Sequence, residues 1–294
     1  MIFLEDKSMK KKKYAVFTMD VETFADTECI SASGIKVDVD LMDGLDEYIA
    51  ILDRHGIKST LFTVGDLAVR IADRLKPHIH NGHSLALHSY THVAPMKEPL
   101  DRFREETRRA KKRMKELFGV EVEGFRAPCF SIDKERLEVL KELGFSYDSS
   151  RLDYGPARHT VKLEMDSFQE IDQEIFRDGD FYEFGLAKEK VFGKPFPISG
   201  GGYVRLSNWG FIKTLISNYI RKHDYYVFYL HPFELTRQKI PFLWKLKSYD
   251  KYYLHQGIGT YRQRVEKIIK ILKKNGYEFV TFEQLVQIMN KRAG

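Results

Sequence analysis

Short apolar runs alternate with longer stretches of helical periodicity along most of the chain. Tyr14–Met19 is a β-rich run. Asp43–His55 carries Leu45, Tyr48, Ile49 and Leu52 at the spacing of one helix face, and Gly56 stops it. Ser59–Val64 reads as the next strand, followed by a helix over Asp66–Leu75 that Pro77 ends. Ser84–Leu87 is a third strand and runs straight into His88. Glu98–Phe118 is a long, charged, amphipathic helix closed by Gly119, and Gly124–Arg126 ends a fourth strand. Asp133–Leu143 is a helix closed by Gly144, and Phe145–Tyr147 a short strand. Further on come helix Ser207–Lys222, strand Tyr225–Leu230, helix Tyr261–Asn275, strand Glu278–Val280 and helix Phe282–Asn290.

This alternation predicts an α/β fold with a parallel sheet and helices outside it, either a barrel or a doubly wound sheet. The barrel is favoured because chemically distinctive residues from several strands must meet at one centre. The first three such segments follow the C-terminal ends of predicted strands, the edge where both architectures assemble active sites. Between Arg151 and Arg205 the pattern weakens into polar turns and strand-like pieces such as Phe181–Leu186 and Val191–Phe192. An insertion or edge hairpin covering the site is expected there, with Gly200–Tyr203 a tight, flexible run. No repeat or linker divides the chain, so one domain over residues 1–294 is expected, its core about 14–285.

With 294 residues, 43% of them hydrophobic and 31% charged, the chain has enough apolar surface for a full core and is globular. The net charge of +6 comes partly from Lys10–Lys13 and from Arg108, Arg109, Lys111, Lys112, Arg113 and Lys115. This excess suits anionic partners, but no stacked-aromatic or helix-turn-helix pattern supports nucleic acid as one. Two cysteines, Cys29 and Cys129, make neither a disulfide framework nor a CxxC zinc pattern. A reducing compartment is the default, with a single bridge between them left open. The N-terminal lysines lead directly into a strand, not into the roughly 7–15 apolar residues of a secretory signal. No window reaches the ~18 apolar residues of a membrane span. A soluble, cytoplasmic protein is expected, at most peripheral to the inner membrane surface. Arg237–Tyr253 mixes basic and aromatic residues. It reads either as a solvated loop with its aromatics packed inward or as a contact with an anionic membrane.

Six residues carry candidate chemistry. Asp20 and Glu22 end an apolar strand, where acids are costly unless paired or metal-bound. Residues two apart on a strand face one side, so both can enter one pocket. His88 and His92 stand four apart, a spacing that puts two imidazoles on one face of a helical turn. Arg126 follows a short strand and suits bidentate grip of a carboxylate, here Asp20. His231 ends the run Tyr225–Leu230 and suits a general acid.

In order, spacing and strand-end placement these segments resemble the NodB-type polysaccharide deacetylases, a carbohydrate esterase family, over roughly residues 14–285. The segments in question are Asp20-Val21-Glu22, His88-Ser89-Tyr90-Thr91-His92, Arg126-Ala127-Pro128, Gly200-Gly201-Gly202-Tyr203 and Tyr229-Leu230-His231-Pro232. They are most similar to the branch that accompanies surface-glycan synthesis. The resemblance implies a distorted (β/α) barrel. It implies one divalent metal, zinc in the first instance, held by Glu22, His88 and His92. It makes Asp20 the catalytic base, Arg126 its holder, the Cys129 backbone amide an oxyanion donor and His231 the general acid. Two departures stand out. The commoner pattern has adjacent aspartates, whereas Val21 separates the acids here and the second is Glu, so the two roles are interchangeable. The usual Asp-and-Trp fourth motif is replaced by Gly200–Tyr203, which leaves the partner of His231 unassigned.

The implied reaction is hydrolysis of an N-acetyl group on an amino sugar, in a glycan or in a lipid- or nucleotide-linked precursor. Cobalt, nickel, manganese or iron would also suit the donor set. Three rivals share the motifs: a deformylase of a lipid-linked amino sugar, a metal-independent amidohydrolase, and a catalytically silent glycan-binding protein.

Overall fold

A computed structural model describes residues 12–153 and 163–293. Lys10 and Lys11 of the basic N-terminal run, and residues 154–162 of the irregular region, lie outside the described residues. Twelve strands are present among the described residues: β1 Lys13–Val21, β2 Thr60–Thr63, β3 Ser84–Leu87, β4 Gly124–Phe125, β5 Tyr147–Asp148, β6 Gln169–Asp172, β7 Ile175–Asp178, β8 Phe181–Phe184, β9 Lys188–Val191, β10 Lys194–Pro197, β11 Tyr225–Leu230 and β12 Tyr277–Val280. One sheet runs β11-β1-β2-β3-β4-β5-β8-β7-β6, with β12 also paired to β1. Pairing is parallel from β11 through β8 and antiparallel for β8-β7-β6. β12 and β2 share one edge of β1, because Tyr14–Val16 pair with both β11 and β12 while Thr18 and Met19 pair with both β11 and β2. The β9–β10 hairpin forms a separate small sheet.

The large sheet curls strongly. β11 and β8 are six places apart in its order, which would separate them by about 29 Å in a flat sheet at ~4.8 Å per strand. Yet the rings of Phe184 in β8 and Tyr225 in β11 lie 6.2 Å apart. This open, curled barrel is the distorted barrel expected from the sequence.

Strand parity sorts the side chains. Tyr14 and Val16 of β1, and Tyr225, Val227 and Tyr229 of β11, belong to the core inside the curl. Ala15, Phe17, Met19 and Val21, with Tyr226, Phe228 and Leu230, belong to the core between sheet and helices. Asp20 and His231 continue the inward parity beyond the last apolar positions. At the opposite end the helix Phe282–Ala293 plugs the barrel. Its Phe282 stacks 4.8 Å from Phe184, and its amide donates to Thr60 Oγ1 at the start of β2.

Three expectations change. The helix expected over Asp66–Leu75 is two helices, Gly65–Arg70 and Ala72–His80, broken at Ile71. Pro77 does not end the second, since burial of Leu75 and Ile79 carries it through. The Gly200–Tyr203 run is not a flexible turn but the start of a short helix, Gly201–Leu206. Most aromatics of Arg237–Tyr253 do not pack inward: Phe242, Trp244, Tyr249 and Tyr252 are exposed. No helix among the described residues is long and apolar enough to cross a membrane.

Candidate active site

Glu22, His88 and His92 present donor atoms that all lie within 4.8 Å of one another. Glu22 Oε2 is 2.6 Å from His92 Nε2 and 3.7 Å from His88 Nε2. The histidines converge through a loop and not a helical turn. Ser89 and His92 adopt positive φ (58° and 57°), which folds the chain back after β3. His88 Nδ1 lies 2.7 Å from the Arg126 carbonyl. A carbonyl only accepts, so Nδ1 carries a proton, and Nε2 is the nitrogen that faces Glu22. Orientation of a ligand ring through its far nitrogen is the usual support for a metal-binding histidine.

Burial pushes the Glu22 carboxyl up, but the charges of His92 and His231 outweigh it and hold the group well below the usual carboxylate range. Burial pushes His92 down, and Glu22 outweighs that too, so the imidazole titrates above its ordinary value. The 2.6 Å contact is therefore a charge-assisted hydrogen bond. Donors around tetrahedral zinc, with bonds of about 2.0–2.1 Å, stand roughly 3.3 Å apart. A cation fits this donor set once the His92 proton leaves and the pair opens by about 0.7 Å.

Asp20, two residues earlier, faces other partners. Its Oδ1 accepts from Arg126 at 2.7 Å, and its Oδ2 lies 4.0 Å from His231 Nε2. Arg126 is wholly buried. Its grip on Asp20 is a single contact and not the bidentate one expected, because its other donors are taken. Nη1 also reaches Thr18 Oγ1, Nε the Ser149 carbonyl and Nη2 the Ser149 hydroxyl, at 2.9 Å each. The guanidinium lies 4.1 Å from the Phe62 ring centroid, a cation–π contact that adds to its fixation.

His231 has a partner that the sequence reading left unassigned. Its Nδ1 and its backbone N–H both lie 3.1 Å from Glu234 Oε2. Glu234 Oε1 accepts from Arg205 Nε at 2.8 Å, and both residues of that pair are completely buried. Arg205 also donates to the Gln256 carbonyl. Burial lowers the His231 pKa, but Glu22, Glu234 and Asp20 raise it to about 9. Burial raises that of Glu234, but the hydrogen bond from His231 and the charge of Arg205 bring it below the ordinary value.

The glycine run explains how Arg205 arrives. Tyr229 donates its amide to the Ser199 carbonyl, and Gly200 bridges Tyr229 at the outer edge of β11. Gly200 has φ 129°, and a Cβ there would lie 2.0 Å from the Tyr229 carbonyl oxygen. Only glycine passes so close, and the helix that follows delivers Arg205 behind Glu234. The signal available in sequence was an acid three residues after His231 in a run of apolar neighbours.

These groups meet in a cavity of about 1020 Å3, lined among others by Asp20, Glu22, His88, His92, Cys129 and His231, with Arg126 behind its wall. Cys129 sits at positive φ (55°). Among the described residues its backbone N–H has no acceptor. Burial pushes its thiol up to about 12, so the side chain is no nucleophile. Cys29 lines the same cavity, and neither cysteine is in a disulfide.

Two family models match the chain. Residues 29–147 match the polysaccharide deacetylase model. Residues 155–287 match a domain of unknown function, DUF3473. His88, His92, Arg126 and Cys129 fall in the first segment and Arg205, His231 and Glu234 in the second, while Asp20 and Glu22 precede both. No curated protein matches. Among solved structures, a candidate polysaccharide deacetylase from Mycobacterium smegmatis is 16% identical, with TM-score 0.63, covering 97% of this chain and 93% of that one. The Bc1960 peptidoglycan N-acetylglucosamine deacetylase is 15% identical, with TM-score 0.53 and coverages of 94% and 89%. A pseudoenzyme of carbohydrate esterase family 4 from Bacillus anthracis, BA3943, is 13% identical, with TM-score 0.53 and coverages of 94% and 66%. The three share this fold. The deacetylase model matches residues 29–147, and the fold over nearly the whole chain is that of these solved structures.

Proposed function

We propose that this chain is a metal-dependent deacetylase that removes the N-acetyl group from an amino sugar, with Glu22, His88 and His92 as metal ligands. The observation that carries the reading is the division of labour between the acids. Glu22 faces both histidines, whereas Asp20 faces Arg126 and His231. This assigns Glu22 as ligand and Asp20 as base. The reading also takes the substrate to be a lipid- or nucleotide-linked precursor of a surface glycan. The two unpaired cysteines suit a reducing, cytoplasmic location.

A divalent cation, zinc by preference, would polarise the acyl carbonyl and lower the pKa of a water. The chain supplies the rest. Asp20 takes the proton of the attacking water while Arg126 holds the carboxylate in place. The carbonyl carbon gains a bond to the water oxygen, and the Cys129 N–H donates to the acyl oxygen as charge develops on it. A donor of this kind is worth about 3–4 kcal/mol of barrier. His231 carries a proton up to about pH 9 and gives it to the departing nitrogen as the C–N bond breaks. Glu234 and Arg205 fix the ring so that Nε2 points into the cavity. The products are acetate and a free amine.

The test is acetate release from a panel of N-acetylated sugar nucleotides, lipid-linked sugars and oligosaccharides. Release from at least one of them, lost in Asp20→Asn, supports the reading. No release from any, with metal bound, removes it.

A further inference from the structure

Two projections border the mouth of the cavity and take no part in the chemistry above. The first is the hairpin of β9 and β10. Its turn residues Phe192 and Gly193 both have positive φ (49° and 77°), and Phe192 is fully exposed at 101% of its reference area. Exposed Lys190 and Lys194 flank it. From the same hairpin Phe196 turns back, lines the cavity and packs against Tyr203 with ring centroids 6.1 Å apart.

The second projection is residues 240–253. Trp244 is 82% exposed and meets Phe242 edge-on at 5.1 Å, while Tyr249 and Tyr252 are exposed beside them. Lys245, Lys247 and Tyr249 line the same cavity as Phe196 and Tyr203, so the two projections flank one opening. Among the described residues Lys190, Lys194, Lys239, Lys245 and Lys247 make no ion pair, although nearby lysines such as Lys188 and Lys222 do. Bulky aromatics held in water beside unpaired lysines leave both apolar area and charge for an outside partner.

We propose that these two projections seat the chain on an anionic bilayer surface, with Phe192 and Trp244 entering the interface and the lysines facing lipid phosphates. Trp and Tyr prefer the interfacial zone, and lysines gain from the negative surface potential. A sugar-stacking platform fits less well. Phe192 stands on a hairpin tip and not in a cleft, and a neutral glycan has no use for the lysines. The cavity would then open toward the membrane. Its substrate would be the lipid-linked form of the amino sugar, a consequence that rests on the proposed function.

The test uses the full chain with Trp209→Phe, which leaves Trp244 as the sole tryptophan. Trp244 emission is followed as vesicles are added, either phosphatidylcholine mixed with phosphatidylglycerol or phosphatidylcholine alone. A blue shift is expected with the mixed vesicles, weaker at high salt and weaker with phosphatidylcholine alone. Phe192→Ser should weaken partitioning at least tenfold, and each of Lys245→Gln and Lys247→Gln about fivefold. Unchanged emission at saturating lipid, or variants that partition like the parent, would overturn the proposal. So would a blue shift given only by N-acetylglucosamine oligosaccharides, which would identify a stacking platform. Asp20→Asn separates the two claims, because it should stop turnover and keep vesicle binding. Binding without turnover on any substrate would sink the reaction alone, and turnover without vesicle binding would sink the membrane proposal alone.

Discussion

Replacing Glu234 by Gln removes a carboxylate that makes two contacts with His231 and one with Arg205. His231 is raised from 6.5 to about 9. At 1.36 kcal/mol per unit this is roughly 3 kcal/mol of net preference for the charged ring, what is left of the pull of Glu22, Glu234 and Asp20 after the cost of burial. Because the folded pKa is raised, that stability is fully present below pH 6.5 and is lost as pH rises toward 9. In metal-free E234Q the His231 pKa should fall by at least one unit, read from its imidazole proton resonances and assigned against His231→Gln. Arg205 is also left as an unpaired buried charge, which costs about 3–5 kcal/mol in thermal or urea unfolding. The double variant R205M/E234Q separates the two effects. It should recover most of the stability and none of the His231 pKa. An unchanged His231 pKa in E234Q would refute the claim that Glu234 sets the proton on this ring.

Asp20→Asn keeps the size of the side chain and removes the base, so kcat for acetate release should fall by about 10²–10⁴ with metal content unchanged. Gly200→Ala forces a Cβ against the Tyr229 carbonyl in a backbone region alanine avoids, and urea unfolding should show a loss of about 2–5 kcal/mol. Metal binding must displace the proton that Glu22 holds on His92. Calorimetry in buffers of different ionisation heat should therefore show proton release, and affinity should weaken as pH falls through the raised His92 pKa.

Much of this arrangement was legible in the chain because strand parity is a period of two. Tyr14 and Val16 alternate with Ala15 and Phe17, and simple counting carries the inward face to Asp20. The same count along Tyr225–Leu230 reaches His231. What remained hidden depends on backbone outside that period. The left-handed turns at Ser89 and His92 bring the two imidazoles together, and no propensity encodes them. Helix spacing picked the same two histidines, but a loop and not a helical turn brings their rings together. Arg205 reads as an ordinary surface cation until Gly200 carries the chain over the edge of β11 and buries it against Glu234. Glu234 in turn reads as a polar residue in a loop, since its ion pair joins segments 29 residues apart. The curl of the sheet is equally non-local: Phe184 and Tyr225 meet only because six strand pairings accumulate twist.

The central claim is a cation held by Glu22, His88 and His92 that the hydrolysis requires. Its most direct test is acetate release from an N-acetylated amino sugar after chelation and after stoichiometric zinc is returned. The wild-type chain should lose its activity with the metal and regain it with one equivalent of zinc, while His88→Ala/His92→Ala should stay inactive at any zinc concentration. Full activity in the chelated wild-type chain, or in the double variant, would contradict the account.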